Sequence, residues 1–248
     1  VWLTTFLLPV TIIATWNEKH GATYFPLLLM MGGALIGVFV SLDLFMFYVF
    51  WELTLIPMFF LILKWGGKDR RYAAQKFFIY TVTASVIMLL GLITLYFLQD
   101  PYTLNYSGSM TGRSFSIPEL IDSAKAGNLG DNWYLGAQMQ KILFVMLMIG
   151  FLVKLPAVPF HTWLPDAHVQ APTGGSMLLA GVMLKMGAYG MFRLPISLFP
   201  HALYHFQLAL MIIGMVSLVW GAIVCLGQTN LKKMVAYSSV SHMGVILI

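Results

Sequence analysis

Long apolar stretches separated by short polar segments dominate the pattern along the chain. A helix that crosses a bilayer needs about 20 mostly apolar residues, and lipid offers no partners to backbone N–H and C=O groups. Each stretch therefore predicts a membrane-spanning helix. Seven are predicted, at residues 1–16, 24–40, 42–65, 77–98, 138–160, 173–194 and 206–227, with an eighth beginning at Leu231. The expected fold is an all-α, polytopic membrane helix bundle.

Both ends of the chain lie inside apolar runs. The run that starts at Val1 has no basic region before it and no small-residue cleavage site, so it is not a signal peptide. The chain stops at Ile248 in the middle of the last predicted helix. We therefore expect residues 1–16 to be a truncated span and the chain to be a piece of a longer membrane protein.

Composition agrees with a membrane protein and narrows its chemistry. The chain is 59% hydrophobic and 9% charged, whereas a soluble domain carries roughly 25% charged residues. This excludes a soluble enzyme and a nucleic-acid-binding protein. The single cysteine, Cys225, excludes a disulfide framework and a thiolate metal cluster. The sequence has neither a glycine-rich phosphate loop nor an obvious histidine pair for haem, so we expect no cofactor or metal on this chain.

Basic residues concentrate on one side of the predicted bundle. If the helices simply alternate, that side holds Lys19, Lys64, Lys68, Arg70, Arg71, Lys76, Lys232 and Lys233, and the opposite side holds Arg113, Lys125, Lys141 and Arg193. Loops rich in Lys and Arg stay on the cytoplasmic side of a membrane. The pattern therefore predicts that the loop 64–76 is cytoplasmic.

The long polar connection, residues 100–135, contains one amphipathic segment, SFSIPELIDSAKAG. Ser116 stands three residues before Glu119, as in a capping box, and Gly127 ends the run. We expect a short helix that lies on the non-cytoplasmic surface and covers the bundle there.

Four ionisable residues fall deep within predicted spans, where a charge costs about 3 kcal/mol to insert. They are Glu52, Lys154, Lys185 and His242. Acid, amine and imidazole groups can hold and release protons, so these residues predict a proton relay. Two alternatives stay open: Glu52 and Lys154 could form a static ion pair that fixes helix packing, and His242 could be a neutral, hydrogen-bonded histidine.

Two prolines, Pro156 and Pro159, follow Lys154 closely and predict a break in its helix. Backbone groups freed at membrane depth are tolerated only beside protein or water, so the break predicts a hydrated pocket next to Lys154. Three further candidates, His161, Asp166 and His168, come after the break. Their spacing fits no standard helical ligand pair, so we do not expect a metal site.

Three motifs resemble a known family. FWELTLIPMFFLI, FLVKLPAVPFHTWLPDAHVQAPTGGSMLLAGVMLKMGAYGMFR and LKKMVAYSSVSHMG closely resemble the antiporter-like subunit M, called subunit 4 in mitochondria, of respiratory complex I, the proton-pumping NADH:quinone oxidoreductase. The resemblance implies two inverted five-helix repeats, each with one broken helix. Residues 24–194 would form the first repeat, including the loop 100–135, and residues 206–248 would begin the second.

The resemblance also implies roles for the buried charges. Glu52 matches the family's glutamate, Lys154 its broken-helix lysine and Lys185 its central lysine. His242 matches a relay histidine, and the family's terminal ionisable residue would lie beyond Ile248.

The implied activity is proton translocation driven by electron transfer in other subunits. NADH, FMN, iron–sulfur clusters and quinone would bind to those partners, which would include other membrane-arm subunits and neighbouring antiporter-like subunits. The expected location is a bacterial cytoplasmic membrane, with an organellar inner membrane as an alternative. Two other functions remain: a subunit of a multi-subunit sodium/proton antiporter, which shares the WLPDA element, and a purely structural membrane subunit.

Overall fold

The computed structural model describes residues 1–17, 22–99, 113–125 and 136–248, and the secondary structure of this part of the chain is almost entirely helical. The α-helices are α1 (Trp2–Ala14), α2 (Tyr24–Val40), α3 (Leu44–Leu53), α4 (Leu55–Trp65), α5 (Arg70–Phe97), α6 (Ile117–Lys125), α7 (Gly136–Lys154), α8 (Trp163–Gln170), α9 (Thr173–Leu178), α10 (Leu184–Arg193), α11 (Pro195–Leu198), α12 (Pro200–Leu226) and α13 (Leu231–Leu247). A 3₁₀ turn, Phe160–Thr162, precedes α8, and a π-helical segment, Leu179–Met183, joins α9 to α10. Strand-like pairing in the described ranges is limited to one bridge between Asp43 and Ser116.

Hydropathy located the helices, and the structure adjusts several of their bounds. Among the described residues, four helical segments have the length and composition to cross a membrane: Leu44–Trp65, Arg70–Phe97, Thr173–Leu198 and Pro200–Leu226. The prediction for α2 matches the structure, but α5 begins seven residues before its predicted start. Lys and Arg favour helix as strongly as leucine does, so the basic residues before Phe77 extend the helix although they end the apolar pattern.

The span predicted at 42–65 is interrupted at Thr54, between α3 and α4. Pro57 has no backbone N–H, and its ring clashes with the carbonyl four residues earlier, that of Leu53. The Thr54 hydroxyl donates to the Trp51 carbonyl at 2.8 Å. The kink lies two residues after Glu52 and was not predicted from the sequence.

The basic loops meet at one end of the molecule. The Gly67 N–H donates to the Gln170 carbonyl at 3.0 Å, and Lys232 Nζ donates to the Ala171 carbonyl at 3.2 Å. The loop after α4, the end of α8 and the start of α13 therefore form a common surface, here called the basic end. Lys232 and Lys233 thus lie at the same end as the loop after α4, as predicted if the helices alternate in direction. Lys19, predicted on the same side, lies outside the described residues.

The predicted amphipathic helix is present as α6, at the opposite end. The Leu44 N–H donates to the Phe115 carbonyl and the Ile117 N–H to the Leu42 carbonyl, both at 2.8 Å. Ile117 and Leu120 are buried whereas Asp122 is exposed, as an amphipathic helix requires. Gly127, its predicted last residue, lies outside the described residues.

Burial divides the spans into two classes. Of the most apolar window in Thr173–Leu198, 61% is buried in the bundle, but only 17% of the corresponding window in α12 is buried. An apolar helix that the rest of the chain leaves uncovered presents its side chains to lipid or to another protein. α12 therefore lies at the periphery, and the buried core is formed mainly by α2 to α5 and α7 to α10.

Candidate functional site

The helix that carries Lys154 is broken where the sequence predicts. α7 ends at Lys154, and helical structure resumes with the 3₁₀ turn at Phe160. Pro156 and Pro159 occupy the connection between them and supply no backbone donors. The break therefore places the last side chain of α7 beside irregular backbone inside the bundle.

Trp163 spans this break. Its indole Nε1–H donates to the Val153 carbonyl at 2.8 Å, so a residue of α8 satisfies a carbonyl of the last turn of α7. Helix termini leave such carbonyls without intrahelical partners. The Trp163 ring also packs against Phe77 of α5, with centroids 5.4 Å apart. The two halves of the broken helix are thereby held in a fixed relation to each other and to α5.

Lys154 is enclosed by aromatic rings. Its side chain is 1% exposed, and its Nζ has no hydrogen-bond partner. The ammonium lies 5.4 Å from the ring centroid of Trp51 and 6.0 Å from that of Phe77. Aromatic faces attract a cation but, unlike a carboxylate, do not neutralise it. Lys154 is therefore a buried amine without a direct counter-ion.

Glu52 is close to Lys154 but does not touch it. The two side chains interact electrostatically, yet they form no direct salt bridge, and the Glu52 Oε1 atom is buried without a hydrogen-bond partner. Tyr48 and Ser85 lie near enough to interact with the same carboxylate. The two side chains are therefore near each other but not in salt-bridge contact.

An apolar cavity of about 710 Å³ lies beside Glu52, between α3, α4 and α5. Its wall is formed by Leu44, Phe45, Tyr48, Val49, Glu52, Leu53, Ile56, Leu89, Leu92, Ile93, Tyr96, Phe97 and Phe115. Among the described residues that line the cavity, Glu52 alone is charged. The carboxylate therefore lies between this cavity and the core that encloses Lys154.

Lys185 lies at the middle of its span, as predicted, but on the surface of the described chain. Its Nζ donates to the carbonyl of Ala180, inside the π-helical segment, at 2.6 Å. Gly187 packs against α7, where an added Cβ would lie 2.9 Å from the backbone nitrogen of Leu155. Residues two apart on a helix point to nearly opposite sides, so Lys185 faces away from Lys154.

His242 is likewise exposed, in the middle of α13. Its neighbour Ser241 faces the interior and donates to the Leu218 carbonyl at 2.9 Å. The chain therefore brings Glu52 and Lys154 together but leaves Lys185 and His242 on its outer faces.

Each of the three further candidates, His161, Asp166 and His168, contacts a different residue. The Asp166 carboxylate pairs with Lys76 Nζ at 2.7 Å. His168 lies 3.2 Å from the Ser176 hydroxyl, measured at Nδ1. The ring of His161 packs 6.2 Å from that of Tyr237, centroid to centroid. They do not converge on one point.

Several members of this site were not identified from the sequence. Tyr48 precedes Glu52 by four residues and so shares its helix face, a signal that the spacing contains. Ser85, Phe77 and Trp163 come from distant parts of the chain, and no local pattern distinguishes them from other bundle residues.

Comparisons with known proteins agree with this architecture. The model of the family described as NADH:quinone oxidoreductase/Mrp antiporter, TM matches residues 41–248. The F(420)H(2) dehydrogenase subunit M of Methanosarcina mazei is 43% identical over 253 residues, which cover 100% of this chain and 48% of that protein. NADH-quinone oxidoreductase subunit M of Rhodobacter capsulatus is 44% identical over 247 residues, which cover 99% of this chain and 46% of that protein. Respiratory complex I from Thermus thermophilus with bound NADH matches with a TM-score of 0.79 and 30% identity, over 98% of this chain and 46% of the matched chain.

The chain spans slightly less than half the length of these relatives. The family match includes Glu52, the broken helix, Lys185 and His242. With its apolar spans and buried charges, the chain is an integral membrane protein, and it belongs to the NADH:quinone oxidoreductase/Mrp antiporter transmembrane family.

Proposed function

We propose that this chain conducts protons within a membrane-arm subunit of a complex I-type pump. One observation carries the proposal: Lys154 is a fully buried amine that has no hydrogen-bond partner and lies near an acid, Glu52, without contacting it. A structural ion pair would be closed to recover the cost of burying both charges. A pair held apart at a helix break suits groups that exchange protons.

The proposed cycle follows from Coulomb attraction. An ionised Glu52 stabilises the Lys154 ammonium across the short gap between them, because the surroundings are apolar and screen charge weakly. When Glu52 is neutralised or moves away, Lys154 releases its proton more readily. Lys185 and His242 then continue the path along the outer faces of α10 and α13, where further protein has to cover them.

The partners and cofactors belong to the same proposal. Electron transfer from NADH through FMN and iron–sulfur clusters to quinone takes place in other subunits, and this chain supplies none of these groups. Its neighbours are other membrane-arm subunits, including antiporter-like ones, in a bacterial cytoplasmic membrane. Residues 24–194 form the first inverted repeat, and residues 206–248 begin the second.

A matched pair of substitutions on α7 tests the proposal. Lys154→Met removes the proton-binding group but keeps the length of the side chain, and Lys141→Met makes the same change near the other end of the helix. In inverted vesicles that contain the whole complex, we expect NADH-driven proton uptake to fall about tenfold or more in Lys154→Met. Uptake in Lys141→Met is expected to equal the wild type.

The amount of assembled complex, measured by immunoblot, separates loss of transport from loss of assembly. Normal proton uptake in an assembled Lys154→Met complex would reject the proposal. Mass spectrometry of proteins that co-purify with the chain distinguishes the sodium/proton antiporter: the absence of redox subunits, together with sodium-dependent proton exchange in vesicles, would favour that function.

The orientation is tested by cysteine labelling. Lys68 is exposed at the basic end, and Asp122 is exposed on α6 at the opposite end. Excess Lys and Arg keep the basic end on the cytoplasmic side, so an impermeant maleimide should label Lys68→Cys only in inverted vesicles. Asp122→Cys should be labelled only in right-side-out vesicles. The reverse pattern would contradict the orientation and leave the fold intact.

A further inference from the structure

The second half of the broken helix is held at both ends by α12 and α13. At the start of this segment, the Val158 N–H donates to the Ser217 hydroxyl of α12 at 2.9 Å. At its end, Lys232 Nζ of α13 donates to the Ala171 carbonyl at 3.2 Å and approaches the Val169 carbonyl at 3.5 Å. These contacts join residues about 60 positions apart in the sequence, so they link two separate parts of the fold.

α12 and α13 are packed with their backbones in close contact. A Cβ added to Gly244 would lie 2.7 Å from the Gly214 carbonyl oxygen, and one added to Gly221 would lie 2.7 Å from the backbone nitrogen of Ser241. Such contacts exclude any larger residue and leave little freedom to slide. A displacement of either end of the pair is therefore passed on to its whole length.

Lys232 is suited to join this unit to α8. It lies in the first turn of α13, which Asn230 fixes by accepting hydrogen bonds from the Lys232 and Lys233 N–H groups. Its ammonium lies at the C-terminal end of α8, where unpaired carbonyls and the helix dipole favour a positive charge. The neighbouring Lys233 is also exposed, but its side chain makes no hydrogen bond or ion pair in the described part of the chain.

We propose that Lys232 is a positioning residue that couples the broken helix to the helix carrying His242. His242 follows Lys232 by ten residues on α13, about 15 Å along the helix axis. When α8 is tied to the first turn of α13, the break beside Lys154 and the imidazole of His242 keep a fixed relation. The inference rests on the proposed proton-conducting function and deepens it, since it assigns the link between the two halves of the path.

Three variants of the full-length protein in its assembled complex test the proposal. Lys232→Met removes the charge and the donor, Lys233→Met is the matched control, and Lys232→Arg keeps both the charge and the donors. The readout is the number of protons pumped per NADH oxidised, because this ratio does not depend on how much complex assembles. A charge at a helix C-terminus contributes up to about 1 kcal/mol, so we expect Lys232→Met to lower the ratio about two- to fivefold.

The expected pattern is a lowered ratio in Lys232→Met, recovery in Lys232→Arg and no change in Lys233→Met. A normal ratio in Lys232→Met, with wild-type vesicles pumping, would overturn the coupling role and leave the proposed function in place. An equal loss in Lys233→Met would also overturn it, because general surface charge would then be the cause. If wild-type vesicles pump no protons, the proposed function itself fails.

Discussion

Two lysine–carboxylate pairs in this chain are built in opposite ways. Lys76 and Asp166 are in direct contact at 2.7 Å, with side chains 20% and 33% exposed. Lys154 is buried in the core and Glu52 lies beside it, half-buried; the two interact electrostatically but form no salt bridge. Burying two charges that do not touch carries a large desolvation free energy. A partly exposed pair has a smaller desolvation cost, and breaking it changes the stability little. The pair with the larger desolvation cost, Lys154–Glu52, is the one beside the helix break.

This difference indicates separate duties for the two pairs. Lys76–Asp166 fastens α8 to α5 near the basic end. A second contact, from the Thr162 hydroxyl to the Tyr80 hydroxyl at 3.1 Å, joins the 3₁₀ turn before α8 to the next turn of α5. The fastened helix carries Trp163, which caps α7 across the break. Under the proposed function, this closed pair, Lys76–Asp166, holds the geometry in which the open pair, Lys154–Glu52, exchanges protons.

Among the substitutions that test the difference between the two pairs, Glu52→Gln is expected to lower proton uptake the most. The substitution removes the charge that stabilises the Lys154 ammonium and keeps the shape of the side chain. We expect proton uptake per assembled complex to fall about fivefold or more, which corresponds to losing at least about 1 kcal/mol of electrostatic stabilisation. Glu52→Asp keeps the charge and should retain more uptake.

Glu119→Gln on α6 is the matched control, since it removes a carboxylate far along the chain from the broken helix. It should leave uptake unchanged. Wild-type uptake in Glu52→Gln at normal turnover would show that the open pair has no part in transport, and the contrast with Lys76–Asp166 would then be one of packing only.

The sequence predicts the positions of these charges but not their contacts. Hydropathy places Glu52 and Lys154 inside helices, and the two prolines place the break beside Lys154, because both signals are local. The enclosure of Lys154 depends on Trp51 and Phe77, which belong to two other helices. Their approach is set by how the helices pack, and helix packing leaves no periodic trace in one sequence.

The same difference between local sequence signals and helix packing applies to the two outer residues of the proposed path, Lys185 and His242. The pattern of apolar residues predicts that Lys185 and His242 lie within membrane spans. Lys185 lies in the candidate span Thr173–Leu198, and His242 lies in helix α13. The pattern does not predict which side of a helix faces the bundle when all sides are apolar. The close approach of Gly187 to α7 decides that Lys185 faces outward, and neither this contact nor the π-helical segment before it was predicted.

A smaller effect is expected from Lys185→Met. An apolar side chain at this depth avoids about 3 kcal/mol of insertion cost, so assembly should be normal. Proton uptake and coupled quinone reductase activity should fall together by about two- to fivefold, because Lys185 faces outward, away from the break, where other groups can partly replace it. Immunoblots for assembly, read together with uptake in inverted vesicles, measure both quantities.

Lys185→Arg, which keeps the charge, serves as the control. Poor assembly of Lys185→Met with normal activity per assembled complex would identify Lys185 as a structural residue. Normal assembly with normal uptake would remove it from the path and confine proton exchange to Glu52 and Lys154.

The smallest effect is expected from breaking the closed pair. Asp166→Asn removes one charge of a partly exposed salt bridge, and such pairs contribute about 1 kcal/mol or less. A double-mutant cycle with Lys76→Met isolates the interaction: the difference between the double variant and the sum of the single variants, measured as the free energy of thermal denaturation of the purified complex, should be about 1 kcal/mol or less. Proton uptake should remain near the wild-type value. If Asp166→Asn instead abolished uptake without lowering stability, Asp166 would itself carry protons, and the division between a fastening pair and an exchanging pair would be wrong.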